Sequence, residues 1–235
     1  MKQYTGTKTV KAAPMTMGEA YERKLLKEGV RPSECETDKA GYLVEYEGGY
    51  QSWSPADVFD KAYKPSETPL DRMHIEYDDE FDRYTKGASF VAGQTFPKLN
   101  YLARVLLSAQ NETQREYCHI LGDRINAMSN KPAFLSNFDF GTALKFLKAG
   151  GAVRRAGWNG KGLFIVKQIP AHITEETIPG MQSLPQIAKD IIMSRDNPHI
   201  DYANQMLIIH PDGRADSWVP SVSDVFAEDW QLVTE

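Results

Sequence analysis

The spacing of the apolar residues changes twice along this chain of 235 residues. Around residues 42–53, apolar and polar residues alternate, which is typical of strands that are buried on one side. Between residues 70 and 128, apolar residues recur every three or four positions, which indicates helices with one apolar face. After about residue 133, short alternating runs return and are mixed with helical ones. These changes predict an α+β fold.

Residues 1–66 contain the signals of a small β-rich module. Two alternating runs flank Gly48-Gly49, and a tight hairpin turn needs the positive φ angles that glycine adopts easily. Ser54-Pro55 then predicts the start of a helix, with serine as the cap and proline in the first turn. The stretch 64–69 holds two prolines and predicts a linker, because proline does not continue a helix or donate to a sheet.

Residues 67–132 predict a helical hairpin or short coiled coil, with Asn111 as a cap of its last helix. Three apolar stripes have helical spacing. The stripes are Met73, Tyr77, Phe81 and Tyr84; Leu99, Leu102, Val105 and Leu106; and Tyr117, Leu121, Ile125 and Met128. The sequence favours a structural spacer, and it does not show whether the apolar faces pack on a neighbouring domain or on another subunit.

Residues 133–235 predict an α+β domain with antiparallel hairpins. Asn137 is a plausible cap for a first helix that ends at Gly150-Gly151. A cationic hairpin follows, and its Asn159-Gly160 pair suits a two-residue type I′ turn. A second hairpin is expected around Asp212-Gly213. We also expect helices at 186–194 and 224–227 and a closing strand at 230–233.

Two parts of the chain share an order of features, namely a glycine hairpin turn, Ser-Trp-x-Pro, Asp-Val-Phe and a terminal aromatic residue. The first part contains Trp53 and Pro55, and the second contains Trp218 and Pro220. The two parts agree in the order of their turns and helix starts and in residue identity, which suggests two related β modules separated by the helical segment.

The segment from Phe140 to Thr174 carries six basic residues and no Asp or Glu. They are Lys145, Lys148, Arg154, Arg155, Lys161 and Lys167. The whole chain has a formal net charge of −5, which disfavours general binding of DNA or RNA. We therefore expect this local patch to bind a small anion.

Metal, membrane and export functions have no signal in the sequence. Cys35 and Cys118 lie far apart, without histidines at the spacing of a metal site, so we expect no cofactor and no structural metal. No apolar run approaches the length of a membrane span, and Met1 to Met15 has no apolar core of a signal peptide. The expected location is the cytoplasm.

Binding is better supported than catalysis. His199, Asp201 and His210 form the nearest approach to a catalytic set, but their spacing matches no known motif, and surface or structural roles are favoured. A nucleotide-sized ligand needs aromatic faces, hydrogen-bond donors and positive charge. Trp158 and Trp218 are the candidate faces, whereas Trp230 has the setting of a core residue. Further candidates for ligand contacts are Arg155, Asn159, Lys161, Asn204 and Ser221.

These residues also carry a family resemblance. The third segment resembles the Thoeris anti-defence family of the second type, because several separated motifs occur in the same order with compatible gaps. The matching motifs are Phe140-Gly141-x-Ala143-Leu144-x-x-Leu147-Lys148-x-Gly150; Val153-x-Arg155-x-Gly157-Trp158-Asn159-Gly160-Lys161-Gly162; Ser183-Leu184-Pro185; Asp212-Gly213; Trp218-x-Pro220-Ser221-x-x-Asp224; and Ala227-Glu228-Asp229-Trp230.

The resemblance implies a phage protein that binds the immune signal glyco-cyclic ADP-ribose and sequesters it without cleaving it. It also implies a homo-oligomer, a dimer or tetramer, with ligand pockets at subunit interfaces in the cytoplasm of the infected bacterial host. By the same resemblance, the pocket would be lined by Phe140, Trp158, Asn159, Asn204, Trp218, Ser221 and Asp224. No catalytic residue is expected.

Two other classes of function stay open on the sequence. A cyclic nucleotide hydrolase would use His199, Asp201 or His210 and would convert the ligand. A structural or regulatory phage protein would bind a macromolecule through the helical hairpin. The sequence does not distinguish isomers of cyclic ADP-ribose from cyclic oligonucleotides as ligands. The first segment resembles small phage accessory modules, and this likeness supplies no activity.

Overall fold

The computed structural model of the protein describes residues 8–234. The chain divides into two compact units, one ending at Ile75 and the next beginning at Glu76. The division into three segments at residues 66 and 132 stays a prediction. The expectation that Met1 to Met15 holds no signal peptide rests partly on residues 1–7, which lie outside the described residues.

The first unit is built on a three-stranded antiparallel sheet with the strand order β1-β2-β3. Its elements are β1 (Lys11–Thr16), α1 (Met17–Glu22), β2 (Ala40–Glu45), β3 (Gln51–Pro55) and α2 (Ala56–Ala62). The sequence did not indicate β1 or α1. Their junction is nevertheless a regular capping box, because Thr16 and Glu19 each accept a hydrogen bond from the other's backbone N–H.

The predicted hairpin of the first unit is confirmed. Gly48 and Gly49 connect β2 to β3 with φ angles of 97° and 83°. Trp53 lies on β3, and its indole N–H donates to the carbonyl of Met15 at 2.9 Å. The prediction of a Ser54 cap for α2 was wrong. Helix α2 begins one residue later than expected, so the N-cap residue is Pro55, which has no side-chain acceptor.

Two long helices form the helical hairpin, α3 (Pro69–Val91) and α4 (Tyr101–Met128), and a short 3₁₀ turn at Phe96–Lys98 precedes the second helix. Asn100 caps α4, with its side-chain oxygen 2.8 Å from the N–H of Ala103. The prediction of a cap at Asn111 was wrong, because α4 runs through this position without a break.

Asn111 lies instead at a close contact between the two helices. It is buried, and a Cβ at Gly87 of α3 would lie 2.5 Å from its side-chain oxygen. Only a glycine at position 87 permits this spacing. Further along the helices, the Tyr117 hydroxyl of α4 donates to Glu76 of α3. The hairpin is therefore held by both shape and polar contacts.

The C-terminal part of the second unit carries a five-stranded antiparallel sheet with the strand order β10-β4-β5-β8-β9. Its elements are α5 (Phe140–Lys148), β4 (Ala152–Arg155), β5 (Phe164–Gln168), β6 (Ala171–Thr174), α6 (Gln186–Met193), β7 (His199–Tyr202), β8 (Gln205–Ile209), β9 (Ala215–Trp218), α7 (Val222–Val225) and β10 (Trp230–Val233), with a 3₁₀ turn at Ile178–Gly180. Strands β6 and β7 form a separate two-stranded ribbon.

Helix α5 packs on this sheet and closes a small hydrophobic core. The fully or nearly fully buried members are Phe138, Ala143, Leu147, Val153, Ile165, Ala227 and Trp230. Helix α4 also contributes to this core, because Ile120 packs against it and the His119 ring lies 4.4 Å from the ring of Phe138. The C-terminal domain and the second half of α4 therefore share one core.

The segment between α4 and α5 is fixed by a buried carboxylate. Asp123 of α4 accepts hydrogen bonds from the backbone N–H groups of Phe134 and Leu135, at 2.8 and 3.1 Å. The carbonyl of Leu135 in turn accepts from Leu232 of β10. This stretch has no helix or strand of its own, and its backbone is hydrogen-bonded to α4 and to β10.

Two local predictions for this domain were wrong. Helix α5 is capped by Asp139, which accepts from the N–H of Thr142 at 2.6 Å, and not by Asn137. The cationic hairpin has no type I′ turn at Asn159-Gly160, because positive φ occurs at Gly162 of this loop instead. Strands β4 and β5 pair only at Val153 and Ile165, and residues 156–163 form a longer loop.

The other local predictions for the domain are confirmed. The second hairpin turns at Gly213 with a φ of 86°, and α6, α7 and β10 lie at or within two residues of their expected positions. Among residues 8–234, no helix is both long enough and apolar enough to cross a membrane.

Candidate functional site

Four aromatic side chains meet on one side of the C-terminal sheet, where the β4–β5 loop, β9 and the start of α5 converge. This aromatic cluster consists of Phe140, Trp158, Trp218 and Trp230. Trp230 is fully buried, and the other three are partly buried around it. The rings of Trp158 and Trp218 have centroids 6.1 Å apart and planes inclined by 63°. Rings inclined in this way meet edge to face, and each of the two also meets the Trp230 ring in this manner.

Asp224 is the polar centre beneath the cluster. One carboxylate oxygen accepts from Arg155 at 2.9 Å and from the Trp158 indole N–H at 3.3 Å. The other accepts from the hydroxyl and the backbone N–H of Ser221, at 2.6 and 3.0 Å. The carbonyl of Asp224 accepts from the Trp230 indole N–H at 3.0 Å. This single residue therefore fixes two of the three tryptophans.

The sequence explains why Asp224 is in this position. Ser221 and Asp224 form a capping box at the start of α7, in which each side chain accepts the other residue's backbone N–H. A serine and an acid three residues apart are a recognisable helix start. The capping box aims the remaining carboxylate oxygen of Asp224 at Arg155 and Trp158.

The ionised form of Asp224 is strongly favoured. Burial by itself raises the pKa of this carboxyl, but the hydrogen bonds from Ser221, Arg155 and Trp158 outweigh that effect and lower the pKa from 3.8 to about 2. The hydrogen bonds that Arg155 donates to Asp229 and Asp224 raise the pKa of its guanidinium in turn. At neutral pH the site therefore contains a closed network of charges.

Arg155 is shared between two carboxylates. Besides its bond to Asp224, its Nε donates to Asp229 at 2.7 Å. Asp229 also accepts from the backbone N–H of Gly157 at 2.7 Å, and its carbonyl accepts from the N–H of Ala156 at 3.0 Å. These bonds hold the residues that lead into Trp158, so they set the position of this ring.

Known proteins match the part of the chain that contains this network. The Thoeris anti-defense 2-like domain family (Tad2-like) matches residues 138–233. Thoeris anti-defense 2 of Bacillus phage SP01 is 32% identical over 102 residues, which are 42% of this chain and 98% of that protein. The chain belongs to the Thoeris anti-defence 2 family. The resemblance expected from the sequence is thereby confirmed for the C-terminal segment.

A second family matches outside this Thoeris anti-defence 2 domain. The family described as Sequestin matches residues 67–127, which span α3 and most of α4. The Thoeris anti-defence 2 domain of this chain is therefore preceded by a helical hairpin with a family likeness of its own.

The structure brings together six of the nine site residues expected in the Thoeris anti-defence 2 domain. They are Phe140, Arg155, Trp158, Trp218, Ser221 and Asp224. Asn159 and Lys161 are exposed on the β4–β5 loop directly after Trp158. Asn204 is exposed in the turn between β7 and β8. These three residues lie on loops, outside the network of contacts around Asp224.

Sequence reasoning missed Asp229 as a functional residue of the Thoeris anti-defence 2 domain. Its partners Arg155 and Gly157 lie 74 and 72 positions away, so no local spacing reveals the contact. The pairing of β4 with β10 could have indicated it, because Arg155 is opposite Trp230, the neighbour of Asp229. Trp230 itself was correctly predicted as core.

The histidines considered for catalysis contact aspartates outside the aromatic cluster. His172 and His199 of the β6–β7 ribbon flank Asp201, with nitrogens 2.6 and 3.5 Å from its carboxylate oxygens. The hydrogen bond from His172 lowers the pKa of Asp201. His210 lies at the end of β8 and pairs with Asp216 at 3.1 Å. The three residues proposed for a hydrolase are thus split between two separate clusters, His199 and Asp201 in one and His210 in the other.

Proposed function

We propose that this protein is a phage anti-defence protein that binds a cyclic ADP-ribose immune signal, glyco-cyclic ADP-ribose, and sequesters it without cleaving it. Membership in the Thoeris anti-defence 2 family supports the role against Thoeris. The observation that carries the binding proposal is the fixed pair Trp158 and Trp218, whose inclined rings stay partly exposed above Asp224. A preorganised aromatic pair is suited to a nucleobase, because every base has a flat apolar face.

In this proposal, the site residues have two kinds of role. Trp158 and Trp218 contact the base, and Asn159 and Lys161, on the exposed loop beside Trp158, contact the ribose and pyrophosphate. Arg155 and Asp224 position these residues, because their charges are already paired with each other and with Asp229. From its charge alone, Arg155 was expected to contact the pyrophosphate directly. In the present proposal it has a positioning role instead.

Capture without chemistry is energetically sufficient for such a role. A nanomolar dissociation constant corresponds to about −12 kcal/mol, which a closed pocket with aromatic and charged contacts can supply. The proposed protein acts stoichiometrically and as a homo-oligomer, and no residue is assigned a catalytic role. A preformed site favours tight binding, because little side-chain freedom is lost when the ligand arrives.

Isothermal titration of the full chain with glyco-cyclic ADP-ribose tests this proposal. We expect tight binding that Trp158→Ala weakens at least tenfold, while Trp53→Ala in the first unit leaves it unchanged. Heat denaturation of the complex followed by chromatography should return the intact ligand. Recovery of a cleaved product would show an enzyme instead, and absence of binding would show that the family likeness extends to the fold alone.

A further inference from the structure

One face of helix α4 changes its surroundings halfway along the helix. In the second half, His119 and Ile120 lie on this face and pack against the C-terminal domain. Eighteen residues make five turns of an α-helix, at about 3.6 residues per turn. Tyr101 and Leu102 therefore lie in line with His119 and Ile120, on the same face of the first half.

The first half of this face is apolar and exposed. Its members, the α4 stripe, are Tyr101, Leu102, Val105, Leu106 and Ala109. Tyr101 is 74% exposed, Leu102 64% and Leu106 59%. Contiguous apolar side chains on one helix face are characteristic of an interaction surface, whereas single exposed apolar residues are common everywhere. The stripe continues a face that is already used for packing.

We propose that the α4 stripe binds the α4 stripe of a second copy of this chain, antiparallel, around a two-fold axis beside Val105. In this arrangement each residue faces the one at an equal distance on the other side of Val105, so Leu102 and Leu106 lie at the edge of the contact, opposite Ser108 and Arg104. Tyr101, the largest side chain of the stripe, then faces Ala109, the smallest.

The antiparallel direction follows from the position of the C-terminal domain. This domain occupies the stripe's face from about His119 onward. A parallel pair would bring two such domains to the same end of the helices, where they would collide. In the antiparallel pair, the covered half of each α4 extends past the beginning of the partner's α4. It therefore does not have to pack against that helix. The two domains are then at opposite ends of a helix about 42 Å long.

The size of the surface fits a second copy. Two stripes facing each other would bury on the order of 1,000 Å² in total, where specific protein interfaces begin. An interface that places the same residues on both sides is the usual form of a homodimer. The inference does not depend on the ligand, and it assigns the helical hairpin a role that the aromatic cluster does not provide.

Disulfide trapping tests the proposed axis directly. A cysteine at the axis meets its own copy, so Val105→Cys in a Cys35→Ser background should form a disulfide-linked dimer on mild oxidation. Asp79→Cys, an exposed position on α3, is the matched control and should remain largely monomeric on a non-reducing gel. Equal crosslinking at the two positions would overturn the proposed axis.

Analytical ultracentrifugation of the full chain tests the surface itself. Leu102→Ser with Leu106→Ser should lower the number of subunits in the particle by a factor of two. The matched control is Ile187→Ser with Ile191→Ser, which removes two exposed isoleucines from α6 and should leave the mass unchanged. Circular dichroism of both variants shows whether they are folded.

The ligand experiment separates this inference from the proposed function. The stripe variant should still bind glyco-cyclic ADP-ribose, because the aromatic cluster is not altered. A native chain that sediments as a monomer, or a folded stripe variant of unchanged mass, would overturn the α4 interface even if the ligand binds. If the stripe variant has fewer subunits but the native chain does not bind the ligand, the interface is supported and the proposed function is contradicted.

Discussion

Arg155 donates to Asp224 at 2.9 Å although 69 positions separate the two residues in the chain. Arg155 ends β4 and Asp224 lies in α7, so this contact joins the strand that leads into Trp158 to the helix that Ser221 caps. The Arg155 side chain is only 19% exposed, and water screens such a partly buried pair less than it screens a surface pair. The contact therefore sets the shape of the site more than it offers charge to a ligand.

We expect Asp224 to make the protein sensitive to acid. The pKa of its carboxyl is 3.8 when unperturbed and about 2 in the folded protein. Its contribution to the free energy of unfolding is therefore complete above about pH 4 and is lost as the pH falls to about 2. The loss amounts to about 2 kcal/mol, at about 1.4 kcal/mol for each pKa unit.

Urea unfolding between pH 5 and pH 2 measures this dependence. Asp224→Asn should be less stable at neutral pH and should lose less stability in acid than the native protein. Asp57→Asn on the exposed side of α2 is the control and should keep the native acid dependence. Parallel curves for the native protein and Asp224→Asn would contradict the assigned pKa.

Asp229 should control ligand affinity without contacting the ligand. Asp229→Ala removes the acceptors of Arg155 and Gly157, so the residues before Trp158 lose their anchor. We expect at least a tenfold loss of affinity in titration calorimetry and a change in tryptophan fluorescence. Asp229→Asn keeps an oxygen for Gly157 and should lose less affinity. An unchanged affinity in Asp229→Ala would show that the loop is held by other contacts.

Trp230 and Trp158 should respond differently to truncation. Trp230→Ala empties the fully buried centre of the aromatic cluster and should cost about 3–5 kcal/mol of unfolding free energy. Trp158→Ala removes a partly exposed ring and should cost clearly less, while it abolishes tight ligand binding. Thermal unfolding monitored by circular dichroism compares the two. Equal losses of stability would place Trp158 in the core instead of the site.

The helical hairpin should tolerate a methyl group at one helical glycine and not at the other. Gly87→Ala puts a Cβ 2.5 Å from the side-chain oxygen of Asn111, so either the buried Asn111 side chain or the helices must shift, at an expected cost of about 1–3 kcal/mol. Gly122→Ala, whose Cβ would touch the Tyr77 ring at 3.4 Å, is the control and should be neutral or stabilise by up to about 1 kcal/mol. The unfolding midpoint in urea measures both. A neutral Gly87→Ala would mean that Asn111 moves aside.

Local chemistry made part of the fold predictable. Gly48 and Gly213 were recognisable as turns because both adopt the left-handed conformation that glycine favours. Helix caps were less certain, since Asn111 has a residue type that suits a cap, yet the structure places the cap of α4 at Asn100. Only the unbroken packing of α4 along α3 decides between them, and this packing is tertiary.

The candidate site was predictable in its residues but not in its contacts. Trp158 and Trp218 could be identified from their setting and from the family motifs, whereas the partners of Arg155 could not. Those partners lie about 70 positions away, on elements whose pairing the sequence does not specify. The prediction of a type I′ turn was wrong in the same loop, where Gly157 bonds to Asp229, 72 positions away.

The segment that joins α4 to α5 has little regular structure, yet it does not act as a flexible tether. Asp123 holds two of its amides, and the backbones of Phe138 and Trp230 exchange hydrogen bonds at 3.1 Å at its other end. Chymotrypsin should accordingly spare the bond after Phe134, although this side chain is 77% exposed. Because these bonds and the shared core join α4 to the C-terminal sheet, a change at the helix should be felt by the tryptophans that the sheet supports.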